Sequence, residues 1–169
     1  MSQQLTHNET TFSKHTFPIT LICDNIIYQP NIGSLFRICE AFGVQKIIFI
    51  GEDVALTPRK INRTSRSTHL HVPHQVIPNT TDALQYLQEN DFEIVALEIT
   101  DNSVPLQSLN LTSKKPIALI AGSEVYGISN ELLQTAHHTT HITMYGENSS
   151  MNVVNAVAVA LYDITGKIS

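Results

Sequence analysis

An α/β fold, with a parallel sheet flanked by helices on both faces, is what this sequence predicts, and three observations carry the prediction. Short apolar runs of strand length recur at Ile19–Cys23, Lys46–Ile50, Glu93–Ile99 and Pro116–Ala121. They are continuous rather than alternating, as strands covered on both faces are. Segments of helical period separate them, and a strand–helix–strand succession is the pattern of a parallel sheet. Finally, polar loops follow Cys23, Ala121 and Met144, and in open parallel sheets ligands sit outside the carboxyl ends of the strands.

Residues 1–16 are polar and aperiodic and read as a flexible tail, which leaves 17–169 as a single domain. After the first strand, Asp24 to Pro30 is a loop and Asn31 is the expected helix N-cap. Leu35, Phe36, Ile38, Cys39 and Phe42 follow at helical spacing, and Gly43 closes the helix. Lys46–Ile50 ends at Gly51, and Thr57-Pro58 opens a short helix as N-cap and first helical residue. His69–Val72 is expected as a third, edge strand ahead of Pro73. Thr81–Asn90 reads as an amphipathic helix with Leu84 and Leu87 on one face, and Val104–Leu109 as a turn of helix. Pro116–Ala121 is the most apolar strand, and Ser129 or Asn130 caps a short helix through Ala136. His141–Met144 is the last expected strand. Ser149, Ser150 and Asn152 then surround a helix start, where free backbone N–H groups can meet a polar ligand. From Asn152 to Leu161 only the two asparagines are polar and the apolar positions cover every face, so this helix is buried on more than one side. Taken alone, that segment reads most simply as a Ser-capped core helix.

At 169 residues and 42% hydrophobic content the chain is large enough for one domain to bury a core without disulfides or metal. No apolar run is long enough to span a bilayer and the first residues hold no signal-peptide core, so a cytoplasmic location is expected. Cys23 and Cys39, one in a strand and one in a helix, have no CxxC spacing and read as buried free thiols. The formal charge of −5 argues against a protein coated in basic surface. Its distribution is uneven: no acidic residue falls between Asp53 and Asp82, where Arg59, Lys60, Arg63 and Arg66 lie. On charge alone this stretch is equally a phosphate-facing patch or a solvated loop. Among eight histidines, His69/His71 and His137/His138/His141 invite a metal, but no nearby carboxylate or cysteine completes a tetrahedral set, and no metal is expected.

Three segments stand out: Pro30-Asn31-Ile32-Gly33-Ser34-Leu35-Phe36-Arg37, Ile117 through Gly122-Ser123-Glu124-Val125-Tyr126-Gly127, and Ile142-Thr143-Met144 through Ser150-Met151-Asn152-Val153-Val154-Asn155-Ala156. Singly each is weak, since a Gly-x-Glu-x-x-Gly loop is also ordinary turn chemistry. Together and in this order they resemble the three motifs of the SPOUT superfamily of knotted methyltransferases, in its SpoU-type, TrmH-like branch of tRNA and rRNA ribose 2′-O-methyltransferases. The likeness runs from about Ile19 to Tyr162.

The resemblance implies a C-terminal deep trefoil knot, S-adenosyl-L-methionine bound in the knot loops, an RNA substrate, and an antiparallel homodimer whose interface includes the first and last helices. It assigns Asn31 and Arg37 to the first motif, with Arg37 near the ribose 2′-hydroxyl. Asn31 and Arg37 lie on different faces of their helix, so Asn31 organises the loop while Arg37 points at the reaction or across the dimer. The apolar neighbours of Arg37 argue against a solvated face. Glu124 matches the second motif's glutamate, and Gly122, after Ala121, the glycine whose main chain approaches the cofactor. Ile142 and Met144 would offer backbone groups to the adenine, and Ser150, Met151 and Asn152 match the third signature, Ser150 and Asn152 joining Glu124 in setting the geometry around Arg37. Thr143 stands where the family often has proline and Val154 where a small or polar residue is common; neither removes a needed chemical group. Thr57-Pro58-Arg59 and Arg63-Thr64-Ser65 resemble more loosely the family's RNA-facing region, which makes Arg59, Lys60, Arg63 and Arg66 candidate phosphate contacts. A chain that is little more than the catalytic domain fits tRNA better than rRNA. The rival reading is a knotted RNA-binding module without the chemistry, against which the complete motif set speaks.

Overall fold

The computed structural model describes residues 3–6, 9, 10, 12–112 and 114–169. The expected tail at 1–16 falls partly outside these, at Met1, Ser2, His7, Asn8 and Thr11, while residues 12–16 have no regular structure.

Among the described residues seven strands form one parallel sheet: β1 (Phe17–Asp24), β2 (Val44–Ile50), β3 (His74–Ile77), β4 (Glu93–Leu97), β5 (Val104–Pro105), β6 (Ile117–Gly122) and β7 (His138–His141), in the order β3-β2-β1-β6-β4-β7-β5. The helices are α1 (Gln29–Ala41), α2 (Pro58–Ser65), α3 (Thr80–Glu89), α4 (Asn130–Leu133) and α5 (Val153–Ile168). Successive strand residues face opposite sides, so each central strand feeds two cores. Ile19, Leu21 and Cys23 of β1 join Ile117, Leu119 and Ala121 of β6 beneath α1, α2 and α5. Ile22, Ala118 and Ile120 face the other way, under α3 and α4. This double cover is why the strands read as unbroken apolar runs. Both thiols are free and buried, and burial pushes Cys23 and Cys39 up, so they stay protonated.

Four expectations are corrected. Asn31 is not the N-cap: α1 starts at Gln29 with Tyr28 in the cap position, and Pro30 sits in the first turn, where a missing N–H costs nothing. The third strand lies after Pro73, not before it, and Thr68–Leu70 is instead a turn of 3-10 helix. Proline cannot donate to the ladder, but the Pro73 carbonyl accepts the Ile47 N–H at 2.9 Å, which leads β3 into the sheet. Val104–Leu109 begins as the short strand β5 before its 3-10 turn at Leu106–Ser108. The last strand is His138–His141, so Ile142, Thr143 and Met144 lie beyond its end. Its His-Thr-Thr-His sequence lacks an apolar signal because its polar groups are answered by the fold. Thr140 Oγ1 donates to the Val104 carbonyl at 2.9 Å, and His138 Nε2 lies 2.9 Å from Glu93 Oε1.

Other elements sit close to expectation. Thr57 precedes α2, Ser129 precedes α4, and Asn79 caps α3 by accepting the Asp82 N–H at 2.9 Å. Helix α5 continues past Leu161 to Ile168; Val153, Val157, Ala160, Leu161 and Ile164 are buried, while Asn155, Val159 and Tyr162 form one exposed stripe. Among the described residues no helix is long and apolar enough to cross a membrane.

Candidate active site

Because β1, β6, β4 and β7 are successive neighbours, the loops leaving their carboxyl ends meet along one edge. There the chain after β4, β6 and β7 and the first turns of α5 enclose a cleft of about 230 Å³, against roughly 10–15 Å³ for one water. Ala121, Gly122, Ile142, Met144, Ser150 and Met151 all line it, as does Glu124. The main chain of Thr143 and Met144 makes no hydrogen bond among the described residues, so this rim keeps donors and acceptors for a ligand. That is a consequence of β7 ending early, at His141.

One hydrogen-bonded chain ties the three sequence segments together. Asn31 Nδ2 donates to Glu124 Oε1. Asn152 Nδ2 donates to Asn31 Oδ1 at 3.2 Å. Asn152 also caps α5, its Oδ1 accepting the Val154 N–H at 2.9 Å, which fixes its amide so that Nδ2 must be the donor to Asn31. With an acceptor on one side and a donor on the other, the Asn31 amide has one orientation that satisfies both. Asn31 is buried, so breaking either bond strands a polar group. Ser150 is exposed at the cleft and makes no hydrogen bond among the described residues.

Gly122 is required by more than an approaching ligand. A Cβ there would sit 2.1 Å from the Gly127 carbonyl carbon and 2.3 Å from Ile128 N. The loop carrying Glu124 folds back against its own strand, with Gly127 N donating to Ser123 O at 2.9 Å. Two carboxylates pin the returning chain: Asp24 at the end of β1 accepts the Ser129 N–H at 2.7 Å, and Glu98 after β4 accepts the Ile128 N–H at 3.1 Å.

Arg37 is not part of this cluster. It is exposed on α1 beside the exposed Glu40 and makes no hydrogen bond or ion pair among the described residues. The apolar neighbours that argued against a solvated position turn inward, Leu35, Phe36 and Cys39 being buried on the other side of the helix. Arg59, Lys60 and Arg63 are exposed on α2, and Arg66 is exposed at its left-handed C-cap, φ +50°. Only Ile61 and Ser65 of α2 are buried. The helix docks on α1 at Gly33, where a Cβ would lie 2.0 Å from Thr64 Oγ1 and 2.6 Å from the Ile61 carbonyl oxygen. The first motif therefore positions the basic helix.

Sequence reasoning missed the fourth wall of the cleft, Leu97, Glu98, Ile99 and His141. The strand-end rule applied to β4 would have found Glu98 and Ile99; His141 was hidden by the misplaced last strand. Among the described residues no group of three or more His, Cys, Asp or Glu is placed to hold a metal ion.

Comparisons with known proteins agree on one family. The model described as the SpoU rRNA Methylase family matches residues 18–162. A tRNA (guanosine(18)-2′-O)-methyltransferase of Thermus thermophilus is 28% identical over 145 residues, covering 86% of this chain and 73% of that protein. An uncharacterized tRNA/rRNA methyltransferase of Synechocystis is 29% identical over 152 residues, 90% of this chain but only 39% of the longer protein. In structure, an AdoMet-bound rRNA methyltransferase from Sinorhizobium meliloti superposes with a TM-score of 0.84 at 22% identity, over 94% of this chain and 59% of that one.

Proposed function

Since the chain belongs to the SpoU rRNA methylase family, we propose that it methylates RNA at a ribose 2′-oxygen with S-adenosyl-L-methionine as methyl donor, and that its substrate is a tRNA. The observation that carries this reading is the Glu124–Asn31–Asn152 chain standing beside a cleft with a free main-chain rim. The cleft suits that donor: it is apolar at Ala121, Ile142 and Met144 for an adenine, and Glu98 and Glu124 on its wall give a cationic sulfonium favourable surroundings. The Sinorhizobium neighbour is AdoMet-bound, and the Thermus relative acts on tRNA.

Bound S-adenosyl-L-methionine supplies an electrophilic methyl group for in-line attack by the ribose oxygen. The chain's own task is alignment, and help for a weakly acidic hydroxyl in losing its proton. Asn31, held by Glu124 and Asn152, sets the floor on which the ribose rests, with Ser150 a free hydroxyl beside it. Arg37 stabilises the developing alkoxide while the hydroxyl proton departs to water, since the guanidinium holds its own protons too tightly to be a ready base. Being exposed on α1, Arg37 reaches a reaction centre across a homodimer. Helices α1 and α5 lie side by side, and the exposed Val159 and Tyr162 of α5 give that face an apolar surface to bury. Residues 17–169 are proposed to act as one catalytic domain in the cytoplasm, its C-terminal segment threaded as a trefoil knot.

Calorimetry with S-adenosyl-L-methionine against flavin mononucleotide, followed by mapping of ribose methyls in tRNA and rRNA after deletion of the gene, tests the reading. Lost methyls in tRNA are expected. Loss in rRNA alone would favour the second substrate, for which the Sinorhizobium rRNA enzyme is the precedent. Binding of the flavin and not of the methyl donor would overturn both.

The basic helix supplies the RNA contact. Arg59→Ala/Arg63→Ala is expected to weaken RNA binding and to flatten the plot of log K against log salt by about one to two units, one counterion or fewer per lost contact. An unchanged slope removes α2 from the interface.

A further inference from the structure

We propose that His141 is a specificity-determining residue of the cleft, its Nε2 accepting a hydrogen bond from the exocyclic amine of the adenine. The proposal rests on the S-adenosyl-L-methionine reading above and deepens it. His141 ends β7 and lines the cleft directly before Ile142 and Met144. It also borders the adjoining hollow lined by Ile99, Ile142, Thr143 and Met144, next to the stretch whose main chain is free.

The ring is anchored from one side, Nδ1 lying 2.9 Å from Ser103 Oγ. That hydroxyl accepts the Thr100 N–H at 3.0 Å and has a single proton to give. Its other neighbour is the Thr100 carbonyl at 2.9 Å, which otherwise receives only the Ser103 N–H at a long 3.4 Å. The hydroxyl proton therefore goes to the carbonyl, and the contact with His141 puts a hydrogen on Nδ1. A neutral imidazole with its hydrogen on Nδ1 carries a lone pair on Nε2. No protein group meets that atom among the described residues, and it is not among the buried atoms lacking a partner, so it faces open space.

An acceptor placed there reads the six-position of a purine. A 6-amino group donates to it; a 6-oxo group sets two acceptors against each other. His141 lies just outside the three motifs, and the Ser103 anchor comes from the chain between β4 and β5, 38 positions away.

The test compares S-adenosyl-L-homocysteine with S-inosyl-L-homocysteine by calorimetry on wild type, His141→Asn and His141→Gln. Asparagine can keep the Ser103 bond at the Nδ1 position but has nothing at Nε2; glutamine reaches the Nε2 position. The expected result is that His141→Asn loses about five- to tenfold of the preference for the adenosyl ligand, the effect of one hydrogen bond, while His141→Gln keeps it to within about twofold. If His141→Asn retains the wild-type preference, or if both variants weaken both ligands equally, His141 only supports the loop and the proposal is wrong. Wild type that binds neither ligand would overturn the cofactor reading itself, and this inference with it.

Discussion

Arg37→Ala is expected to reduce methyl transfer by about 10²–10³-fold or more, as removal of a group that stabilises a developing oxyanion does, while affinity for S-adenosyl-L-methionine stays within about twofold. The two halves of this prediction come from the same geometry. Arg37 touches neither the cleft nor the Glu124–Asn31–Asn152 chain, and its side chain is exposed without a partner among the described residues. Its removal leaves the methyl-donor site intact and costs folding little, on the order of 0.5 kcal/mol as for other surface changes. Single-turnover methylation of RNA, measured beside cofactor calorimetry on the same preparation, separates chemistry from binding. Near-normal turnover would refute the assignment. Sedimentation adds a second check on the proposed route across a homodimer: a monomer at micromolar concentration would remove it.

Gly122→Ala should act in the opposite sense, destroying the cofactor site before the chemistry is reached. The new Cβ would lie 2.1 and 2.2 Å from the carbonyl carbon and oxygen of Gly127 and 2.3 Å from Ile128 N, all of them backbone atoms. No rotamer relieves such a clash, so the loop itself must move. It is not free to: Ile128 N–H is held by Glu98 and Ser129 N–H by the buried Asp24 carboxylate. Displacing it carries Glu124 away from Asn31 and opens the wall of the cleft. A loss of about 100-fold or more in S-adenosyl-L-methionine affinity is expected, with a stability cost of about 1–3 kcal/mol for an overpacked site. Calorimetry and urea unfolding measure the two. Affinity within threefold of wild type would mean that the loop tolerates the shift, and would take away the structural reason given for this glycine.

Much of this molecule was legible before folding. The central strands announce themselves because each is covered on both faces, and helix α5 because, after its Asn152 cap, it is apolar over most of its circumference. Where local chemistry is polar but answered by the fold, the reading failed. His138–His141 is a strand whose threonine and histidine groups find partners on β4 and β5, a signal that no window of sequence contains. The same misplacement hid His141 and made Ile142–Met144 a strand, whereas β7 ends at His141 and the main chain of Thr143 and Met144 makes no hydrogen bond among the described residues.

Residue order alone thus settles which segments can be strands and helices, because burial and helical period are local properties of side chains. It also settles that Asn31, Glu124 and Asn152 stand in three loops or helix starts that follow strands. What it leaves open is convergence. Asn31 meets Glu124 and Asn152 because β1 and β6 are neighbours and α5 returns across them, bringing together positions 93 and 121 residues away. The placement of Arg37 was likewise decided only by packing: the core claims one side of α1, and the arginine, six residues from Asn31 and turned to the other side, is left facing outward.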